Sequence, residues 1–170
     1  SPSLLKGDVT RQWLLNSFTL SNMITAGHNM RDRILFEEVP GGTEFIQTII
    51  EAMQQSKVLY VEYQPFGKQL VTLHIHPYAM KVYDQRWYIV GCIKEYGEIR
   101  NISLDRILSM NLASETFELP KTFDAEEYYS NTIGIFVNEK LVPQKVIVRA
   151  YGIHVEYLRT LPLHRTQHEI

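Results

Sequence analysis

The chain has 170 residues, of which 45% are hydrophobic and 21% charged, with a formal net charge of −2; this is ordinary for a soluble globular protein of one full domain and further pieces. No apolar run approaches the roughly 18 residues that cross a bilayer, no signal peptide is visible at Ser1-Pro2-Ser3, and the overall charge advertises no basic field for nucleic acid. The single cysteine, Cys92, excludes an internal disulfide and a four-cysteine zinc site, so a reducing, cytoplasmic setting is expected.

Along the chain, Trp13, Leu14, Phe18, Met23 and Ile24 suit one helix over Val9 to Ile24, or a helix broken near Ser21, with Asp8 as N-cap and Gly27 as stop. Leu35 to Val39 reads as a short strand, punctuated by Pro40-Gly41-Gly42. Thr43 can cap a second helix running to about Gln55. Its Phe45, Ile46, Ile49, Ile50 and Met53 form an apolar stripe that must pack on a neighbouring sheet or on a partner.

Lys57 to Tyr63 is the first of several strands, and Gln64 to Lys68 the loop after it. Val71 to His76 alternates strictly, with Val71, Leu73 and Ile75 on one face and Thr72, His74 and His76 on the other. After Pro77 the chain resumes as Tyr78 to Tyr83 and turns at Asp84-Gln85. It returns as Arg86 to Ile93, a strand apolar on both faces and hence buried on both sides or closed into a small barrel. Tyr96-Gly97 supplies the next turn, Glu98 to Leu104 the next strand and Ile107 to Leu112 the last. Four or five strands in this length have the size of an SH3-like or Sm-like barrel. A short helix is expected from about Asp124 to Ser130, a strand at Val146-Ile147-Val148, and a short helix or turn from Ile153 to Leu158.

Trp87-Tyr88-Ile89, preceded by His76-Pro77 and followed by Glu98-Ile99-Arg100 and Leu104-Asp105-Arg106-Ile107, resembles the WYL domain of bacterial transcriptional regulators. The usual Leu of the third motif position is here Ile89, a volume-conserving change. The resemblance covers Ser56 to Leu112 well and the flanks more loosely.

It implies an α+β chain with a small SH3-like/Sm-like β-barrel, flanking N-terminal helices and a truncated C-terminal α/β piece. Residues 1–55 form a helical linker region, 56–113 the WYL barrel, 114–142 a linker with a short helix, and 143–170 the start of a truncated C-terminal extension domain. A lone strand and one helical turn in that tail cannot bury their own faces. Such regulators read DNA through an upstream helix-turn-helix, and none precedes Asp8. The expectation is a fragment, or a member without its own DNA reader.

For function the resemblance implies a sensor of a nucleic acid or nucleotide-like anion, with Tyr88, Arg100 and Arg106 as the main ligand-binding residues and Ser56, Tyr63 and His76 as weaker ones. The residues themselves leave alternatives open. Arg100 shares a face with Ile102 and Leu104, so it is paired with Glu62, Glu98 or Asp105, lies at the rim, or awaits an anion. Arg106, at a strand end, meets a phosphate, is exposed, or pins the turn through Asp105. Trp87 is expected in the core. His74 and His76 lack a third ligand for a metal, and no catalytic motif occurs. An effector-sensing, non-enzymatic module without cofactor, membrane or metal follows, in a homodimer. A non-catalytic dimerisation module without ligand is the alternative.

Overall fold

A computed structural model describes residues 40–138 and 140–170. The helix expected over Val9 to Ile24 and the strand at Leu35 to Val39 lie outside the described residues. The chain is α+β. Five antiparallel strands, β1 (Lys57–Tyr63), β2 (Val71–Tyr83), β3 (Arg86–Ile93), β4 (Glu98–Ser103) and β5 (Ile107–Thr116), follow a helix, α1 (Ile46–Gln55), and precede two short helices, α2 (Ala125–Tyr128) and α3 (His154–Thr160).

Helix α1 is amphipathic as its stripe predicts. Ile49 and Ala52 are fully buried, Phe45, Ile46 and Met53 pack around them, and Ile50 is left at the edge, 42% exposed. Thr43 does not cap it: a 3-10 turn over Thr43–Phe45 leads in from Gly42. Ser56 ends the helix in the left-handed region, φ 52°, where its amide donates back to the Ala52 and Met53 carbonyls. Its own carbonyl accepts the Phe117 amide at 2.9 Å.

The strand order is β4-β3-β2-β1-β5. Among the described residues the barrel expected for residues 56–113 does not close by strand pairing: the sheet is open, with β4 and β5 at its edges. The reason is local. A 3-10 turn at Leu104–Arg106 carries the chain from β4 into β5 without pairing them, and β5 finds its ladder on β1 instead, Leu59 opposite Leu112 and Val61 opposite Met110.

One face of the sheet and α1 enclose the core: Leu59, Val61, Tyr63, Leu73, Ile75, Ile89, Ile93, Ile102, Leu104 and Ile107 join Ile49 and Ala52. Each fully buried aliphatic side chain there contributes about 1.5–3 kcal/mol. Trp87 packs against this cluster, half-buried.

Pro77 does not interrupt β2. It stays in the strand opposite Gly91, and the ladder shifts register between Pro77 and Ala79 to absorb the missing donor. The approach is so close that a Cβ on Gly91 would lie 2.1 Å from the His76 carbonyl oxygen.

The opposite face is crossed by the segment from Phe117 to Ile135. His76 stacks on Phe117, with ring centroids 5.2 Å apart, and Tyr78 meets Phe117 and Phe123. Helix α2 is capped by Asp124, whose carboxylate accepts the Glu127 amide at 2.8 Å. The tail is different. Val146, Ile147 and Val148 form no ladder among the described residues and are 77%, 69% and 59% exposed, and α3 has no buried residue.

Candidate ligand site at the β4–β5 turn

Tyr63 closes β1, the loop carrying Phe66 follows, and the 3-10 turn brings Asp105 and Arg106 alongside; the Gln64 amide donates to the Arg106 carbonyl at 2.9 Å and ties loop to turn. The Arg106 guanidinium carbon lies 4.6 Å from the centre of the Phe66 ring and 5.5 Å from that of Tyr63. Phe66 is 71% exposed and Tyr63 only 6%, so Arg106 bridges a buried phenol and an open ring.

Among the described residues Arg106 forms no ion pair, and its Nε is buried without a hydrogen-bond partner. Asp105, next in the chain, is engaged elsewhere. Its carboxylate accepts the Ser103 hydroxyl and lies 3.5 Å from Nε of Arg86, an ion pair whose geometry falls short of a hydrogen bond. Arg86 was not singled out in the sequence.

Burial raises the Tyr63 phenol above its ordinary value, against the opposing pull of the Arg106 charge and the Ser103 backbone; Asp105 and Tyr88 add to the rise. The phenol stays protonated and able to donate. A guanidinium held against two rings, with donors unspent, suits a planar anion or a phosphate beside a stacked base.

The other expected residues spread more widely. Tyr88 lies opposite Lys81 on β2 and Ser103 on β4, and is 5% exposed. Arg100 lies opposite Gly91; Gly91 is three positions along β3 from Tyr88, so Arg100 projects from the face of the sheet opposite to that of Tyr88. It pairs with Glu98 at 3.2 Å and stacks 3.9 Å from the Tyr96 ring centre.

His76 stands opposite Cys92, with Nε2 buried and unpartnered, and burial lowers its pKa. Ser56 sits at the end of α1. The structure thus brings Tyr63 and Arg106 into contact, sets Tyr88 within electrostatic reach of Tyr63, and keeps Arg100 and Ser56 apart from that group. Phe66 carried a signal that sequence reasoning passed over: an aromatic in a loop at a strand end. Arg86 carried none, because its pairing with Asp105 spans two strands.

The family model for the WYL domain matches residues 44–112, from the turn before α1 to the middle of β5. Over this stretch the chain is similar to the WYL domain. A similar solved structure is proteasome accessory factor B/C (PafBC) of Arthrobacter aurescens, 18% identical with a TM-score of 0.43 over 47% of this chain. The match spans 13% of the length of that protein. No curated protein matches the chain. Among the described residues no helix is long and apolar enough to cross a membrane.

Proposed function

We propose that this WYL domain is the effector-sensing module of a bacterial transcriptional regulator, and that it takes a nucleic acid or nucleotide-like anion at the β4–β5 turn. The observation that carries the reading is Arg106: half-buried, free of carboxylates among the described residues, and laid against Tyr63 and Phe66. Arg86 supplies a second guanidinium nearby, held by Asp105 at 3.5 Å.

In this reading Arg106 meets a phosphate, Phe66 offers a face to a base, and Tyr63 forms the floor. Arg100 on Tyr96 makes a second arginine–aromatic pair, reachable by a longer strand. His76 and Ser56 support the sheet rather than touch the ligand. The module is regulatory and cytoplasmic, and acts on DNA through a helix-turn-helix elsewhere in the regulator.

Titration calorimetry with a short single-stranded oligonucleotide and with mononucleotides, at low and high salt, tests this. Saturable binding that weakens with salt is expected. Silence from every one of these probes overturns it.

A second reading, a dimerisation module without ligand, draws on the tail. Tyr151, Ile153, Tyr157, Leu161 and Leu163 are all more than half exposed, as the first unit of a further domain or a subunit contact requires. Sedimentation favours this reading if it shows a dimer that no oligonucleotide alters.

A further inference from the structure

The segment crossing the outer face of the sheet is fastened at one residue of β4. The Asn101 side-chain amide donates to the Ile135 carbonyl at 2.6 Å, and its oxygen accepts the Tyr129 hydroxyl. The Tyr129 ring in turn carries the Lys81 ammonium 3.5 Å from its centre, and Gly134 sits against the ring of Tyr83. Residues 124–136 contain only the four-residue α2, too short to hold itself together. Their order comes from the sheet.

Asn101 is two residues from Ser103 on the same face of the same strand. Ser103 is bonded to Asp105, and Asp105 is paired with Arg86. Polar contacts therefore link Arg86 through Asp105 to Ser103, and Asn101 to the strap, with the backbone of β4 itself joining Ser103 to Asn101. Among the described residues β4 is an edge strand with a ladder on β3 alone, so a shift of β4 strains one set of hydrogen bonds and not two.

We propose that β4 couples the ligand site to the strap: an anion that draws Arg86 from Asp105 loosens the Asp105–Ser103 contact, moves Asn101, and frees residues 124–136 together with the tail that follows. This rests on the anion-binding reading above. A ligand can shift the strap only by its preference for the loosened state, and the coupling must then be reciprocal.

Hydrogen exchange read by mass spectrometry on the full chain, with and without a short single-stranded DNA oligonucleotide, tests it. Bound oligonucleotide is expected to speed exchange in residues 124–136. Asp105→Asn is expected to do the same without ligand. By reciprocity Asn101→Ala, and Tyr129→Phe as the gentler variant, tighten oligonucleotide binding by a factor of about ten, within the usual range of such couplings.

Oligonucleotide that binds and leaves strap exchange unchanged overturns the coupling while the binding reading stands, as does an Asp105→Asn strap that exchanges like the wild type. An oligonucleotide that does not bind at all removes both.

Discussion

A Cβ placed on Gly42 would lie 2.4 Å from the backbone carbon of Leu104, the first residue of the turn that carries Arg106. Gly42 also holds φ at +99°, which side chains other than glycine rarely adopt. The lead-in to α1 thus buttresses the β4–β5 turn from behind.

Gly42→Ala is expected to combine backbone strain with a clash against fixed backbone and to destabilise the domain by about 3 kcal/mol. Urea unfolding measures this. A loss under about 1 kcal/mol would mean that the turn moves aside freely, contrary to the packing described.

Ile89, the third residue of the WYL motif, is fully buried in the core. Ile89→Leu, which restores the usual letter of the family, conserves volume and is expected to cost less than about 1.5 kcal/mol. Ile89→Ala leaves a cavity and costs about 2–5 kcal/mol. Equal midpoints for the two variants in thermal melts would contradict this account of the site.

His76 gives the domain a pH dependence of definite sign. Burial lowers its folded pKa below the ordinary 6.5, and Lys94 lowers it further while Glu115 opposes. As pH falls through 6.5 the unfolded chain takes up a proton that the folded ring refuses, so stability drops until the folded value is passed and then levels off. Between about pH 7.5 and 5.5 the wild type is expected to lose more stability than His76→Phe, which keeps the stacking on Phe117. Parallel losses would show that the ring titrates freely.

Much of the sheet is legible in the residues. The strand expected over Lys57 to Tyr63 matches β1 to the residue, and Asp84-Gln85 forms the β2–β3 turn with both φ values positive, 48° and 60°, without a glycine. Pro77 misleads, since a proline inside a strand reads as a break, and only the glycine opposite it reveals that the strand continues. Val146 to Val148 has the composition of a strand but finds no ladder among the described residues, because composition cannot supply a partner. The site divides along the same line. Arg106 is legible from its place at a strand end and Tyr63 through the family resemblance, whereas Arg100 stays open between pairing, rim and anion until the register puts it across the sheet from Tyr88 and beside Glu98. The contacts Arg86–Asp105 and Asn101–Tyr129 join residues 19 and 28 positions apart, distances at which no local pattern operates.

The most direct test of the central claim follows the fluorescence of Trp87, which neighbours Tyr88 in β3, while a single-stranded oligonucleotide is titrated into wild type, Arg106→Ala and Arg100→Ala. A charge-assisted contact to phosphate is worth about 1.5–3 kcal/mol. The account therefore predicts that Arg106→Ala weakens binding by roughly ten- to a hundredfold, and that Arg100→Ala, already paired with Glu98, weakens it less. Identical titration curves for wild type and Arg106→Ala would contradict it.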